Sequence, residues 1–553
     1  MRSLFKMDQH KGRRLNVWTP LLFSLVLIFG MVLGFNLRDT LRNKRDITTI
    51  AERNDRLEQI IDLIKERYVD SVNTNLLYED AINGILSHLD PHTTYITPDQ
   101  MQSVTEDLEG SFFGIGVEFS ILRDTIQVTS VVEGGPAQRA GVDIGDKLIK
   151  VGDSIVAGKN VTSDRIIKML RGAQHSKVLV TLQPASDSSQ KNVIIERDAI
   201  PLYSVEANLM LDAQTAYIKI NRFSATTYHE FEKALRELKA KGANALIIDL
   251  RQNPGGYLDA ATAIADELLD GDKLIVYTEG RNTPRQEYRA AKPGLFENGK
   301  VAILVDESSA SASEVLAGAV QDWDRGIVVG RRSYGKGLVQ EQYDMDNGAA
   351  LRLTIAKYYT PSGRSIQRSY AKGKEAYAED IVERFHSGEL VGKDSLIAGD
   401  TTKFYTNNKR TVYGGGGITP DIHVPYDTAK LNSALLNVLF SESTRNYLWD
   451  YFLSHRTQLR QYKTIAEFDA AFESALLLEN FAGSLPDRMV PLYSSVLAKP
   501  AVKVYFETQL KAQLARFLFR NNGYYAVSAK TDEALQAALQ ALEGGRYSQF
   551  IKR

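Results

Sequence analysis

The chain of 553 residues contains no cysteine. This absence excludes disulfide bonds, Cys-ligated zinc sites and cysteine nucleophiles, although it does not identify the redox compartment. Histidine is scarce, with eight residues scattered along the chain. The sequence has neither an HExxH helix nor a GxSxG turn, so a zinc hydrolase and a Ser-His-Asp triad are unsupported. We expect no metal and no cofactor.

The chain also lacks an excess of charge of either sign. Lys and Arg together number 67, Asp and Glu together 68, and the formal net charge is −1. This balance gives no reason to expect a nucleic acid as partner. The hydrophobic fraction of 43% is ordinary for a globular protein, and the length predicts several domains.

One segment near the N-terminus is free of charge. Residues 15–37 form a run of 23 uncharged residues, which as a helix would span about 34 Å. Lys11, Arg13 and Arg14 precede it. The positive-inside rule therefore predicts a cytoplasmic tail over residues 1–14 and a single-pass anchor in the cytoplasmic (inner) membrane. The remainder would lie in the periplasm or another extracytoplasmic space. A cleaved signal peptide is the alternative, but the run is long and no clear cleavage site follows.

Beyond this run, the apolar pattern divides the chain into four regions. Residues 38–108 read as helical, and residues 109–200 consist of short β-rich runs separated by glycine turns. Residues 201–425 alternate strands and helices, and residues 426–553 are again helical. The predicted fold is an α/β core with a sheet covered on both faces, an inserted mostly-β domain, and helical N- and C-terminal extensions.

The β-rich region begins with a glycine-containing loop, Gly114-Ile115-Gly116-Val117. Glycines at these positions let backbone N–H groups converge on an anion. The pattern P-A-x-x-A-G-x-x-x-G-D-x-L-x-x-V follows over residues 136–151. This combination resembles a bacterial PDZ domain, except that Val117 stands where Phe is usual. The resemblance implies that a protein tail adds a strand to the sheet and places its carboxylate on this loop. The alternative is a purely structural β module.

A serine-rich turn follows the apolar run at residues 301–305. Ser311 lies among small residues at the start of a predicted helix, where the positive field favours an oxyanion. The N–H group of Ala312 can donate to that oxyanion. The alternative is that Ser311 and Glu314 merely form a capping box.

A lysine lies between two glycines farther along the chain. Lys336 must be desolvated to act as a neutral base, and Gly335 and Gly337 let the backbone pack closely around it. If Lys336 and Gln340 share a strand, the two-residue period puts both on one side, so Gln340 can orient the amine. A surface lysine in a turn is the alternative.

Two other interpretations of Lys336, a phosphate-binding Walker A loop and a penicillin-binding S-x-x-K motif, are weaker than that of a general base. A Walker A loop needs Ser or Thr where Gly337 stands. The Ser333-x-x-Lys336 spacing matches an S-x-x-K motif, but the same spacing recurs at three other places and K-T-G is absent.

Upstream, a predicted strand ends in Gly255-Gly256, which can offer a second oxyanion donor. Five separated motifs now occur in order: D-L-R-Q-N-P-G-G at 249–256, S-A-S-A-S-E at 309–314, Y-G-K-G-L-V-Q at 334–340, L-T-I-A-K-Y-Y-T-P-S-G-R-S at 353–365 and G-G-I-T-P-D at 416–421. Together with the preceding PDZ-like region, they resemble the C-terminal processing peptidases, or tail-specific proteases. The resemblance covers about residues 60–425 and implies a ClpP/crotonase-like peptidase core.

The family pattern implies a role for each matching residue. Ser311 would be the nucleophile, Lys336 the general base and Gln340 the residue that positions it. An oxyanion hole would come from Ala312, Gly255 and Gly256. The implied activity is a serine endopeptidase that processes or degrades extracytoplasmic proteins with apolar C-terminal tails through an acyl-enzyme.

Two other functions remain open from the sequence. The chain could be a PDZ scaffold on an inactive peptidase fold, or it could hydrolyse cell-wall peptides or esters with the same dyad. The helical regions 38–108 and 426–553 are candidates for a homodimer interface or a platform for an adaptor or delivery protein. Simple packing around the core is the alternative for both.

Overall fold

The computed structural model describes residues 56–551 except 159–161, 186, 188 and 393–401. Residues up to His88 belong to one compact unit and residues from Leu89 onward to another. The predicted tail and membrane anchor lie outside the described residues. Within the described part of the chain, no helix is both long and apolar enough to cross a membrane.

From residue 56 onward, the first unit forms helices, as predicted: α1 over residues 56–67 and α2 over Thr74–Leu86. The Asn73 side chain accepts a hydrogen bond from the Asn75 N–H and so caps α2.

The second unit begins with β1 and α3 and continues through the mostly-β domain. Its first elements are β1 Thr94–Ile96, α3 Pro98–Glu109, β2 Ser111–Gly114, β3 Val117–Leu122, β4 Thr125–Val131, α4 Pro136–Arg139, β5 Lys147–Val151, β6 Ser154–Ile155, α5 Ser163–Leu170, β7 Lys177–Gln183, β8 Lys191–Glu196 and β9 Asp198–Pro201. The α/β core follows with β10 Val205–Met210, β11 Thr215–Ile220, α6 Thr227–Ala240, β12 Ala245–Asp249, α7 Leu258–Asp266, β13 Leu274–Glu279, β14 Gln286–Arg289, β15 Lys300–Val305, α8 Ala312–Asp322, β16 Ile327–Gly330, β17 Leu338–Asp344 and β18 Ala350–Tyr359.

The remaining elements are small strands and helices, then the C-terminal helices. They are α9 Lys374–Ala378, α10 Asp380–His386, β19 Lys403–Tyr405, β20 Thr411–Tyr413, β21 Ile422–His423, α11 Ser433–Leu439, α12 Glu442–Ser454, α13 Arg456–Leu459, α14 Ile465–Ala471, α15 Val490–Leu497, α16 Pro500–Ser528, α17 Glu533–Glu543 and α18 Arg546–Phe550. Short 3₁₀ turns connect several of them.

The core contains two sheets. The first has the order β10-β11-β12-β15-β16-β21, with β11 to β21 parallel and β10 antiparallel at one edge. The second is antiparallel, with the order β1-β18-β13-β14, and β17 also pairs with β18. Apolar residues of α6, α7 and α8 cover one face of the first sheet, whereas α17 and α18 cover the other. The prediction of a sheet covered on both faces is confirmed.

Residues 94–96 differ from the sequence interpretation, which placed them in the helical region 38–108. They form β1, which pairs with β18, and the side chain of Ile96 is buried in that pairing. Because the segment is short, its periodicity carries little signal, and the pairing with a strand 250 residues away decides its conformation.

The mostly-β domain has a sheet in the order β3-β4-β5-β7-β8, so β3 lies at an edge. Its core includes Ile115, Ile166 of α5 and Leu170 of α5. The short β-rich runs predicted for residues 109–200 form strands.

The C-terminal helices pack against this sheet. Leu122 of β3 is buried in the aromatic core formed by α11 to α16. Gln127 of β4 accepts a buried hydrogen bond from Trp449 Nε1, and the Arg456 guanidinium lies 2.8 Å from a carboxylate oxygen of Asp143. The C-terminal extension therefore packs on both the mostly-β domain and the core.

Candidate active site

Ser311 lies in the turn between β15 and α8. Its φ of 54° is unusual for a residue with a side chain, and it immediately precedes the fully buried helix α8. Such backbone strain persists only where surrounding contacts fix it. Here the carbonyl of Asn253 accepts hydrogen bonds from the Ala310 N–H and the Ser313 hydroxyl, both at 3.0 Å. The turn thus presents Ser311 in a fixed conformation.

Glu314 connects the Ser311 turn to the Lys336 loop. One carboxylate oxygen accepts hydrogen bonds from the N–H groups of Ser311 at 2.9 Å and Lys336 at 2.8 Å. The other accepts from the Ser333 hydroxyl and the Gly335 N–H, at 2.5 and 2.7 Å. Burial raises the pKa of Glu314 to about 7, although these four donors act in the opposite direction. Ser311 and Glu314 therefore do form the capping box. The same carboxylate also binds the loop that carries Lys336.

Tyr358 makes a second link between the same two segments. Its hydroxyl lies 3.0 Å from the Ser311 carbonyl oxygen and also hydrogen-bonds with the Lys336 carbonyl. The side chain is 2% exposed, and burial raises the pKa of its phenol well above the usual value. The hydroxyl therefore stays protonated and can donate its hydrogen bond to the carbonyls of the two loops.

The glycines beside Lys336 permit close packing, as predicted. A Cβ on Gly335 would lie 3.0 Å from the backbone of Gly416, and one on Gly337 would lie 2.9 Å from the nitrogen of Gln367. Side chains at these positions would push the loop outward. Lys336 is half-buried as a result.

Lys336 Nζ donates to Gln340 Oε1 at 2.8 Å, and Gln340 Nε2 donates to the backbone carbonyl of His92. The expected contact is therefore present, although Lys336 itself precedes β17, which begins at Leu338. The pairing of β17 with β18 shifts in register between Val339 and Gln340, where the extra residue, Ile355, belongs to β18.

The surroundings favour a neutral Lys336. Burial, with a smaller contribution from Arg352, lowers its pKa. His92 packs edge-on against Tyr377, and its Nε2 lies 2.8 Å from the Tyr377 hydroxyl. Burial, then the charge of Lys336, lowers the pKa of His92 to about 4, so this imidazole is neutral at pH 7.

The turn of Gly255 and Gly256 approaches the serine directly. A Cβ on Gly255 would lie 2.8 Å from Ser311 Cβ and 3.0 Å from the Ala312 nitrogen. The Gly255 N–H already donates to Asn253 Oδ1 at 2.9 Å. Among the described residues, the N–H groups of Gly256 and Ala312 have no acceptor. One of these free donors, Ala312, directly follows Ser311, and the other, Gly256, directly follows the glycine that contacts it.

The predicted site residues of the core therefore lie together. Within the described residues, no hydrogen bond joins the Ser311 hydroxyl to Lys336 Nζ, which contacts Gln340 instead. A hydroxyl, a half-buried amine and two free N–H donors form a set that suits acyl transfer. No group of three or more His, Asp or Glu side chains in the described ranges could hold a metal ion.

The predicted tail-binding loop lies at the edge of the mostly-β sheet. Gly114 ends β2, Val117 begins β3, and Gly116 has a φ of 76°. The carbonyls of Ile115 and Gly116 accept hydrogen bonds from Ala137 and Val132 inside the domain. Among the described strands, β3 pairs with β4 alone, so its other edge carries no strand.

Sequence reasoning missed several residues of the core site. Glu314 was considered only as a cap, Asn253 and Tyr358 appeared only as motif letters, and His92 was set aside with the other histidines. The run Asn253-Pro254-Gly255-Gly256 contains the signal for one of them, because Asn commonly accepts from an N–H two residues later. The others act across long sequence separations.

Comparison with known proteins places this geometry in a family. Peptidase family S41 matches residues 214–375, and the PDZ domain matches residues 102–183. Residues 36–100 match the activating protease CtpB N-terminal domain, and residues 435–520 match a family of unknown function. A carboxy-terminal-processing protease of Bartonella bacilliformis is 30% identical over 401 residues, which span 70% of this chain and 90% of that protein. The chain belongs to the carboxy-terminal-processing protease family. It is a serine-type peptidase with a PDZ domain.

Other members and solved structures are also similar. A probable CtpA-like serine protease of Staphylococcus aureus is 35% identical over 315 residues, covering 56% of this chain and 62% of that protein. The structure of a photosystem II D1 C-terminal processing protease covers 68% of this chain and 87% of its own, at 24% identity and a TM-score of 0.34. A peptide-bound PDZ domain of a Vibrio cholerae carboxy-terminal protease is 31% identical, covering 17% of this chain and 99% of its own, at a TM-score of 0.16.

Proposed function

We propose that this protease cleaves peptide bonds with Ser311 as nucleophile and Lys336 as general base. The observation that carries the proposal is the double link between the two segments. The Glu314 carboxylate accepts from the N–H groups of both residues, and the single Tyr358 O–H lies within donating reach of both carbonyls. Such a link holds the backbone of Ser311 close to the backbone of Lys336, so both side chains belong to one site.

In the proposed reaction, neutral Lys336 accepts the proton of the Ser311 hydroxyl while Oγ attacks the peptide carbonyl carbon. The lysine ammonium then protonates the departing amine, and an ester to Ser311 remains. Water attacks that ester with Lys336 again acting as base, which releases the carboxylic acid and restores the serine. Gln340 orients the lysine through a neutral contact, so it adds no charge that would hold the proton.

The tetrahedral oxyanion would lie between the N–H groups of Ala312 and Gly256. Gly255 supplies space rather than a donor, since its own N–H is bound to Asn253. Each donor is expected to lower the barrier by roughly 3 kcal/mol. The absence of a Ser311–Lys336 hydrogen bond in this structure means that the two side chains must approach each other when substrate binds.

The PDZ domain would select substrates by their tails. The open edge of β3 suits backbone pairing with an extended peptide, and the Gly114–Val117 loop would take the terminal carboxylate. Substrates would then be proteins with apolar C-terminal tails, bound at one site and cut at another.

The proposed location of the protease in the cell rests on the sequence alone. The uncharged run over residues 15–37, with basic residues before it, supports an inner-membrane anchor with the protease outside the cytoplasm. A homodimer or a delivery protein as partner, and a ClpP/crotonase-like core, stay predictions.

A cleavage assay tests the activity. The full chain, as wild type and as Ser311→Ala, would be incubated with an unfolded protein bearing an apolar C-terminal tail, and products would be followed by intact mass. We expect fragments only from the wild type. An otherwise identical substrate with an amidated C-terminus should be cut at least tenfold more slowly at limiting concentration.

Ser308→Ala is the matched control, because Ser308 is an exposed serine of the same turn whose N–H group alone makes a contact there. It should cleave like the wild type. Cleavage by Ser311→Ala at the wild-type rate would overturn the assignment of the nucleophile, and equal rates on both substrates would overturn the role of the tail.

A further inference from the structure

The turn that carries Gly256 is bonded to the loop that carries Ser311. Besides the two bonds to the Asn253 carbonyl, the Gln252 N–H donates to Asp306 Oδ1 at 3.0 Å, and the Ser309 hydroxyl donates to the Leu250 carbonyl at 2.8 Å. Displacement of this turn would therefore move the proposed oxyanion donors relative to the nucleophile.

Arg251 is the side chain that holds this turn on its other side. Its guanidinium contacts both oxygens of Asp249, at 2.6 to 3.1 Å. It also makes a two-bond contact with Asp532, at 2.9 and 2.7 Å. A planar guanidinium held by two carboxylates has little freedom to rotate.

The charges of this cluster balance. Lys219 lies 3.3 Å from Asp249, so two cations face two carboxylates. Burial opposes ionisation of Asp249, but Arg251 and Lys219 outweigh it and hold the pKa of that carboxyl well below its usual range. Asp249 is only 1% exposed. A partner lost from such a cluster leaves an unbalanced charge at the base of the turn.

Asp532 comes from the C-terminal extension, outside the peptidase motifs. It is the N-cap of α17 and accepts from the Leu535 N–H at 3.0 Å. Helix α17 packs through Leu535, Ala538 and Leu542 on the face of the core sheet opposite α8. The extension therefore contacts Arg251 at the start of the turn of residues 251–256, which we call the oxyanion turn, from the sheet face opposite α8.

We propose that Asp532 is a positioning residue for the oxyanion turn, acting through Arg251. The inference rests on the proposed function, since it assigns a role in the same reaction. In this proposal, the C-terminal extension helps to position the peptidase site in addition to packing on the core sheet. The expected signature is a loss of turnover with little change in substrate binding.

Asp532→Asn is a clean variant for this test. Asn caps a helix as well as Asp does, so the capping of α17 is kept while the charge facing Arg251 is removed. Glu533→Gln is the matched control. It lies next to Asp532 at the start of the same helix, loses the same charge, and breaks a pair between its own exposed carboxylate and the half-buried Lys430.

The measurement is steady-state cleavage by the full chain of an internally quenched peptide with an apolar tail, together with thermal unfolding. We expect Asp532→Asn to lower kcat about tenfold with KM within twofold, because small displacements in a site cost one to two orders of magnitude in rate. Its Tm should fall below that of Glu533→Gln, because Arg251 loses a partner, but the chain should stay folded at the assay temperature. Glu533→Gln should keep wild-type kinetics.

An unchanged kcat in Asp532→Asn, or a rise in KM alone, would overturn the proposal. So would an Asp532→Asn chain that is unfolded at the assay temperature, because the pair would then serve stability. Ser311→Ala is measured in parallel. If that variant cleaves like the wild type, the proposed nucleophile has failed, whatever Asp532→Asn does.

Discussion

Gln340 accepts a 2.8 Å hydrogen bond from the side-chain nitrogen of Lys336. The other end of its amide donates to the backbone carbonyl of His92, so the orientation of the amide is fixed. The lysine therefore meets a neutral oxygen rather than a carboxylate. Burial lowers the pKa of Lys336, and a neutral oxygen opposes that shift less than a carboxylate would.

Gln340→Glu should move the pH profile of cleavage to higher pH. As pH rises, more Lys336 is neutral, so kcat/KM should rise and level off above the pKa of the lysine. A carboxylate at 2.8 Å would raise that pKa, and each unit of increase lowers the neutral fraction tenfold below it. We expect at least tenfold less activity at pH 7, with recovery at alkaline pH. The measurement is kcat/KM against pH.

Gln340→Ala serves as the control, since it removes the same contacts without adding charge. It should lower activity without an alkaline shift of the profile. If both variants gave the same profile, the charge on residue 340 would not control Lys336.

Lys336→Met should abolish cleavage and yet stabilise the fold. A lysine whose pKa is lowered by burial binds fewer protons folded than unfolded, so its contribution to the free energy of unfolding becomes more favourable as pH rises toward 10.5. Met keeps the apolar stem without this penalty. The Tm gain over wild type should therefore be larger at pH 6 than at pH 9, as measured by calorimetry at both. A gain that grows with pH would contradict the sign of the shift.

Several parts of this site could be predicted from local sequence. Ser311 and Lys336 stand out because small residues and glycines surround them, and such residues have few structural reasons to cluster around a serine or a lysine. The closeness of Gly255 to Ser311 also follows, because parallel strands bring their ends to one edge of a sheet.

The contacts that tune the site could not be predicted in this way. His92 and Gln340 are 248 positions apart, and Arg251 and Asp532 are 281 apart. Each contact depends on the packing of whole elements, β1 on β18 and α17 on the core sheet. No local pattern in one chain reports such a pairing.

Glu314→Gln should weaken both stability and activity. Each carboxylate oxygen of Glu314 accepts two hydrogen bonds, and an amide would present its NH₂ group to two of these donors. Leaving buried donors unpaired costs about 1 to 3 kcal/mol each, so we expect a loss of roughly 2 to 5 kcal/mol by denaturant unfolding. Turnover should fall as well, because the same carboxylate binds the backbone of Ser311 and Lys336.

The control is Glu232→Gln, which breaks only a helical i,i+4 pair with Arg236. It should change the free energy of unfolding by no more than about 0.5 kcal/mol. Equal effects of the two substitutions would show that Glu314 does not link the two loops.

Gly256→Ala should be far more damaging than an alanine at another glycine with positive φ. Gly256 has a φ of 141°, and a Cβ there would lie 2.0 Å from the carbonyl oxygen of Phe223, so the backbone must move. Gly242 has a φ of 98°, but its Cβ would meet only an oxygen at 3.9 Å. Gly242→Ala should therefore cost only the conformational penalty of about 1 to 2 kcal/mol.

Gly256→Ala should cost at least twice as much in the free energy of unfolding, and the chain that still folds should have lost most of its kcat, since the displaced turn carries a proposed oxyanion donor. Denaturant unfolding and cleavage of the quenched peptide measure the two effects. If both alanines cost the same and kcat persisted in Gly256→Ala, the turn would have room to relax, and the second oxyanion donor would have to come from another backbone group near Ser311.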